Sequence, residues 1–87
     1  MNSEPTRQQL LITVRDILAD VLDNESLHLT TASTAEDVAD WDSISQVKLL
    51  IGLENELNFR FSSQEVEGLK NVGALIDLIE RKLAAKT

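Results

Sequence analysis

The 87-residue sequence contains no cysteine, one proline and three glycines, and only 3% of its residues are aromatic. Without cysteine, the chain forms no disulfide framework, no thiolate zinc site and no thiol nucleophile. It has no apolar run near the ~20 residues of a membrane span, and no basic-then-apolar segment typical of a secretion signal. A chain of this length accommodates one domain and not two. We therefore expect a single soluble, cytoplasmic domain over residues 1–87.

The negative charge is concentrated in one stretch of the chain. The formal net charge is −7, and the segment from Asp20 to Asp42 holds seven acidic residues and no lysine or arginine. Such a segment repels phosphate backbones and anionic lipids, so we expect no nucleic-acid partner and no membrane partner. It would instead attract basic protein surfaces. The alternative is that the charges only solvate an irregular segment.

Helical spacing of apolar residues dominates the first quarter of the sequence. It predicts a helix over about residues 4–22, with Ser3 as its N-cap. The predicted core face of this helix has seven members: Leu10, Leu11, Val14, Ile17, Leu18, Val21 and Leu22. Residues 23–42 show neither the helix period nor the strand period, which predicts a long loop. The loop has four apolar residues that would hold it on the core: Leu27, Leu29, Val38 and Trp41.

The second half of the sequence predicts three more helices. One covers about residues 43–58, with Asp42 as its N-cap. A capping-box pattern opens a short helix over residues 62–68, and the last helix covers about 71–86. No strand pair is visible. The expected fold class is all-α: a small four-helix bundle with three longer helices, a short third helix and a long loop between helices 1 and 2.

Residue constellations for catalysis are missing. His28 is the only histidine, so an imidazole base or metal site has one candidate, and a Ser43–His28–Asp arrangement has no local support. The carboxylates lack EF-hand spacing, and the glycines form no phosphate-binding loop. We expect no catalytic residues, no metal site and no enzyme activity.

The tripeptide Asp42-Ser43-Ile44 lies at the start of the predicted second helix. A serine there is exposed, and the free amides and the helix dipole of the first turn favour a phosphoryl group. No neighbouring base activates its hydroxyl, so chemistry at Ser43 would require the active site of another protein. The alternative is that Ser43 is a second capping residue beside Asp42.

The second helix carries more apolar residues than a core face requires. Its core face has four leucines: Leu49, Leu50, Leu53 and Leu57. Ile44, Val47 and Ile51 widen the apolar arc to about 220° on the side that follows the serine. These three residues, the apolar stripe, are either an exposed contact patch or are buried against the loop and the short helix.

Trp41 and Gly52 each allow two interpretations. Trp41 either contacts a modifying enzyme or anchors the end of the long loop. Gly52 lies inside the second helix, where it costs about 1 kcal/mol relative to alanine. It either allows a neighbouring chain or a partner to approach closely, or it is a tolerated defect.

At these residues the sequence resembles the acyl carrier proteins over almost its whole length. The motif is Asp42-Ser43-Ile44, where the family usually reads Asp-Ser-Leu. The other matching positions are Val47, Leu49, Leu53-Glu54, Glu56-Leu57, Phe61 and Val72. The resemblance implies that Ser43 carries a 4′-phosphopantetheine arm, transferred from coenzyme A by a Mg²⁺-dependent phosphopantetheinyl transferase. The thiol of this arm would hold acyl groups as thioesters.

The resemblance also implies partners and the residues that bind them. Asp42 matches the acidic residue beside the modified serine, near the metal ion and the transferase. Five residues match positions at which the family meets partner enzymes: Ile44, Val47, Ile51, Glu54 and Glu56. Lys48 and Trp41, which the resemblance does not supply, are two further residues expected to contact partners. The expected partners are the transferase and acyl-loading and acyl-processing enzymes, such as a ligase, an acyltransferase and a ketosynthase. The chain is expected to be a monomer.

Two departures from the family pattern bear on the pathway. Carriers of primary fatty acid biosynthesis commonly read Leu-Gly-Ala-Asp-Ser-Leu, whereas residues 39–44 read Ala-Asp-Trp-Asp-Ser-Ile. Lys48 and Asn55 stand where several of those carriers have acids. Both departures favour a specialised polyketide or lipid pathway. The alternatives are a peptidyl or aminoacyl carrier protein and a helical adaptor that binds partners without covalent modification.

Overall fold

The computed structural model describes residues 5–86, with Lys86 described by its backbone alone. Within this range the chain forms helices and connecting segments and no strand. The helices are α1 (Arg7–Leu22), α2 (Ser43–Leu57), α3 (Ser63–Glu67) and α4 (Val72–Lys86). The predicted all-α bundle, with a short third helix and a long first loop, is confirmed.

The first helix begins later than the sequence pattern predicted. Thr6 is its N-cap: the Thr6 hydroxyl accepts from the Gln9 N–H at 3.1 Å, and the Gln9 side chain accepts from the Thr6 N–H at 2.9 Å. This reciprocal capping box satisfies two backbone donors and fixes the helix start at Arg7. The predicted start at about residue 4 is therefore wrong. The predicted cap, Ser3, lies outside the described residues.

The core lies where α1, α2 and α4 meet. Its largest fully buried side chains are aliphatic: Leu10, Val14, Leu18, Leu49, Leu53, Val72, Ile76 and Ile79. The long loop adds Leu27, Leu29 and Trp41, each less than 10% exposed. The apolar residues scattered along the loop therefore hold it on the bundle, as predicted, and their burial contributes the hydrophobic free energy that a 20-residue connection needs to stay ordered.

Hydrogen bonds to backbone carbonyls of the loop fasten it to two helices. The Arg15 guanidinium of α1 donates to the carbonyls of Glu25 and Leu27, the latter at 2.8 Å. Further along, the Gly73 N–H donates to the Thr31 carbonyl at 2.8 Å, and a Cβ at Gly73 would lie 3.0 Å from that oxygen. These hydrogen bonds therefore fix the path of the loop that leads to α2.

Gly52 allows α1 and α2 to pack closely. A Cβ at this position would lie 2.7 Å from Cγ2 of Ile17, a distance that side chains do not tolerate without a shift. Of the two interpretations open from the sequence, close approach is the one the structure supports, and the neighbour is α1 of the same chain.

The Gly52→Ala variant is expected to be less stable than the wild type, although alanine is the better helix former. Overpacking against Ile17 costs about 1–3 kcal/mol, which exceeds or equals the ~1 kcal/mol gained in helix propensity. Urea unfolding measures the difference. Gly68→Ala is the matched control, because a Cβ at Gly68 meets nothing within 4 Å. A Gly52→Ala variant more stable than the wild type would contradict this account of the packing.

Candidate functional site

Ser43 is the first residue of α2, and its side chain is exposed. Asp42 caps the helix: its carboxylate Oδ1 accepts from the Ser45 N–H at 2.9 Å. None of the residues that the structure describes hydrogen-bonds the Ser43 hydroxyl. The predicted cap at Asp42 is confirmed, and Ser43 is not a second capping residue. Its hydroxyl is presented to solvent on the first turn of a 15-residue helix.

The hydrogen bonds to Ser45 hold the pKa of Asp42 below its usual value of 3.8. The backbone N–H of Ser45 makes the largest contribution, and the Ser45 side chain adds to it. Both interactions favour the ionised carboxylate, as does the positive end of the helix dipole. Asp42 therefore places a negative charge directly beside the exposed hydroxyl at neutral pH.

The contribution of this carboxylate to stability is expected to depend on pH. Because the pKa of Asp42 is lower in the folded chain, its charge stabilises the fold above the unfolded pKa, and this stabilisation is lost as the pH falls through the folded pKa. The stability difference between wild type and Asp42→Asn should be constant near pH 7 and shrink in acid, since asparagine also caps helices. Urea unfolding across a pH series measures it. A difference that grows in acid would contradict this prediction.

The loop immediately before Ser43 is fastened to the first turns of α2. Trp41 is 9% exposed, and its indole N–H donates to the Gln46 side chain at 2.8 Å. The Ser45 hydroxyl donates to the Asp40 carbonyl at 3.2 Å, and Asp40 has a left-handed backbone with a φ of 69°. The structure therefore favours the interpretation in which Trp41 anchors the loop end. Its side chain lies in the core.

A cavity of about 350 Å³ opens beside Ser43, between the start of α2, the α3 region and the start of α4. Its apolar lining comes from Ala35, Trp41, Val66, Leu69, Val72 and Leu75, and its polar lining from Asp42, Ser43, Gln46, Lys70 and Asn71. This volume is at the lower end of the range typical of small-molecule sites, which are mostly apolar with a few polar groups. The exposed hydroxyl thus lies at the edge of a partly apolar cavity.

The apolar stripe on α2 is exposed. Ile44, Val47 and Ile51 are 65%, 55% and 50% exposed, and they follow one another at helical spacing along one face. Neither the long loop nor α3 covers them, which decides between the two interpretations left open by the sequence. A contiguous group of exposed apolar side chains is typical of an interaction surface.

Comparisons with known proteins identify the family. A family model described as "Phosphopantetheine attachment site" matches residues 13–79, which include Ser43 and all of α2. The acyl carrier protein of Thermosynechococcus vestitus is 37% identical over 81 residues, covering 91% of this chain and 98% of that protein. The acyl carrier protein of Exiguobacterium sibiricum is 27% identical over 78 residues, covering 90% and 99%.

A solved structure agrees with these relatives. The solution NMR structure of the holo acyl carrier protein from Geobacter metallireducens superposes with a TM-score of 0.80 at 39% identity, covering 87% of each chain. The chain belongs to the acyl carrier protein family. Acyl carrier proteins carry acyl groups and are not enzymes, which confirms the prediction of no enzyme activity. The prosthetic group is 4′-phosphopantetheine. The family as a whole works with phosphopantetheinyl transferases and acyl-processing enzymes.

The residues around Ser43 fit such a group. The hydroxyl that would be esterified is exposed and unengaged, the first turn of α2 offers the positive end of a helix to a phosphate, and the cavity lies alongside. In the described part of the carrier, no three metal-ligating side chains cluster. No helix in that part is both long and apolar enough to cross a membrane.

The predicted partner-binding residues are not all placed alike. Lys48 and Glu56 are exposed on α2. Glu54 is half-buried, and its carboxylate accepts from the Phe61 N–H at 2.8 Å, so it fixes the connection that follows α2. Glu54 therefore has a structural role through this hydrogen bond, as Trp41 has through its burial.

Sequence reasoning did not find what holds α3 in place. This five-residue helix buries none of its residues, yet Val66 of α3 and Leu69 just after it line the cavity. The Lys82 ammonium of α4 donates to both carboxylate oxygens of Glu65, at 2.8 and 3.0 Å, and this bond lowers the pKa of Glu65. The two residues are 17 positions apart on different helices, so no local pattern signals the pair.

Proposed function

We propose that Ser43 carries the 4′-phosphopantetheine group and that the chain presents acyl thioesters to partner enzymes. The observation that supports this is the exposed, unbonded Ser43 hydroxyl at the first position of a helix capped by Asp42, within the region matched by the family model. The bound group supplies the thiol that this cysteine-free chain lacks.

The chain's own residues have limited roles in the loading reaction. The Ser43 Oγ forms the new bond to phosphorus, the bond to the adenosine bisphosphate half of coenzyme A breaks, and the hydroxyl proton leaves. His28 is exposed on the loop, and no basic side chain hydrogen-bonds the Ser43 hydroxyl in the described structure, so the transferase must supply the proton acceptor. We propose that the ionised Asp42 faces the Mg²⁺ of the transferase.

The cavity beside Ser43 has a proposed role in sheltering the carried group. Leu69, Val72 and Leu75 provide apolar surface against which a short acyl chain would be removed from water. Ser43 at the cavity edge would let the same group swing outward to an enzyme.

Incubation with coenzyme A and a broad-specificity phosphopantetheinyl transferase tests the proposed function. Intact-mass spectrometry should show the gain of one phosphopantetheine per chain. A wild-type chain that gains no mass, while a known acyl carrier protein in the same mixture is modified, would overturn the proposal.

We propose that the acyl groups belong to a specialised polyketide or lipid pathway in the cytoplasm, with a ligase, an acyltransferase and a ketosynthase among the partners. The exposed Lys48 and Asn55 support this, because they make the face of α2 less acidic than in carriers of primary fatty acid biosynthesis. Loading trials compare acyl ligases with amino-acid-adenylating enzymes. Loading by the adenylating enzymes alone would assign the chain to the peptidyl or aminoacyl carriers.

The acidic segment is proposed to attract basic partners over distance. All seven of its acids are exposed: Asp20, Asp23, Glu25, Glu36, Asp37, Asp40 and Asp42. Raising the salt from ~0.01 M to ~1 M shortens the Debye length from about 30 Å to about 3 Å, so we expect the association rate with the transferase to fall by about tenfold or more. Stopped-flow binding measures this rate. A rate that does not change with salt would mean that the acids serve solubility alone.

A further inference from the structure

A groove of about 480 Å³ runs between α1 and α2. Four of its lining residues come from α1 and four from α2: Asp16, Ile17, Asp20, Val21, Lys48, Ile51, Gly52 and Glu56. Gly52 lies in the groove with Ile17 and Val21, which are both half-buried, and a Cβ at Gly52 would lie 2.7 Å from Cγ2 of Ile17. The floor of the groove is therefore apolar and its edges are charged.

The groove is continuous with the apolar stripe on α2. Ile51, 50% exposed, is both the last residue of the stripe and a wall of the groove. A partner that covers the stripe and extends toward α1 therefore also contacts Ile17 and Val21.

The charges at the edges indicate what kind of surface fits. Asp20 and Glu56 are exposed, and neither forms an ion pair among the residues the structure describes. Asp16 is engaged by Arg15 at 2.9 Å, and Lys48 is the single cation of the lining. Two unpaired carboxylates around an apolar floor complement an apolar side chain flanked by basic groups.

A second cavity, which shares Ile51 with the groove and lies toward the end of α2, offers a different environment. It is lined by Ile51, Glu54, Asn55, Asn58, Phe59 and Arg60, and is mostly polar. Its carboxylate, on Glu54, already accepts from the Phe61 N–H, and Arg60 adds a cation. A basic, apolar surface is therefore better matched on the α1 side.

The groove is also within reach of an enzyme that acts on Ser43. Ile51 follows Ser43 by eight residues, about 12 Å along a helix. A standard interface covers about 800 Å² on each partner, a disc about 30 Å across. We propose that the phosphopantetheinyl transferase docks an apolar side chain flanked by basic groups in the α1–α2 groove while it modifies Ser43. This inference rests on the proposed function.

Charge reversal at the groove tests the proposal. Asp20→Lys and Glu56→Lys are each expected to lower kcat/KM for the modification of Ser43 by about fivefold or more, mainly through KM. Glu67→Lys, on α3 and outside the groove, is the control and should change kcat/KM by less than about twofold. All three variants change the net charge equally, so long-range attraction falls equally. Circular dichroism confirms that each variant is folded.

Two outcomes separate this inference from the proposed function. If the transferase does not modify the wild type, the proposed function fails. If the wild type is modified and Asp20→Lys and Glu56→Lys behave like Glu67→Lys, the docking proposal alone is overturned. An NMR titration of the unmodifiable Ser43→Ala chain with the transferase gives a second readout: the amide signals of Ile17 and Val21 should shift or broaden. Changes at Phe59 and Arg60 without changes at Ile17 and Val21 would contradict the proposal.

Discussion

Replacing Ser43 by alanine is expected to abolish loading completely, because the variant has no hydroxyl to form the bond to phosphorus. No other side chain is expected to substitute for it. Ser45 is the nearest hydroxyl along the chain, two residues away, but it is only part-exposed and donates to the Asp40 carbonyl. In a mixture with coenzyme A and a broad-specificity transferase, the Ser43→Ala chain should keep its original mass.

The fold should survive this substitution. Ser43 makes no hydrogen bond that alanine would lose in the described structure, the cap is provided by Asp42, and alanine is the better helix former. Ser45→Ala is the matched control, since it removes a hydroxyl from the same turn and should still be loaded. A Ser43→Ala chain that gains the mass of phosphopantetheine would refute the assignment of the attachment site.

Replacing Val47 by aspartate is expected to lower kcat/KM for loading by about tenfold to hundredfold, which corresponds to the loss of an interface hot spot. Val47 is the middle residue of the apolar stripe and is 55% exposed. An aspartate there would place an unpaired charge under any partner that covers the stripe. The transferase assay used for loading measures this effect.

Ile12→Asp is the control for the Val47 variant. Ile12 is 52% exposed on α1, so this substitution makes a similar chemical change at a similar exposure outside the stripe. It should alter kcat/KM by less than about twofold. Equal losses in both variants would show that the stripe is not a specific contact. If the protein were instead an adaptor that works without modification, the Ser43→Ala chain would bind partners as well as the wild type does.

Local signals in the sequence were sufficient to predict the start of α2 and its exposed serine. A capping aspartate and the apolar periodicity that follows it are close together in the sequence, so they predict a helix start from a short segment. The structure has this cap at Asp42. The predicted start of α1 was wrong because two nearby residues carry similar local signals. Ser3 and Thr6 both have side chains that cap helices, but Thr6 alone has a glutamine three residues later to complete a capping box.

Features that join distant segments could not be predicted from the sequence. The cavity beside Ser43 combines residues from Ala35 to Leu75, and the tie that holds α3 joins Glu65 to Lys82. The burial of Trp41 and the contact between Gly52 and Ile17 were open alternatives, because both depend on how helices and loop pack. Periodicity indicates which face of a helix is apolar, but only packing determines which part of that face stays exposed.

The central claim is that Ser43 is the residue that carries the group, and mapping the modified residue tests it most directly. The wild-type chain is loaded with coenzyme A and a transferase, digested, and the modified peptide is sequenced by tandem mass spectrometry. We predict a single modification on Ser43, in the peptide that contains Asp42-Ser43-Ile44. A modification found on Ser45 or on any residue outside this motif would contradict the account.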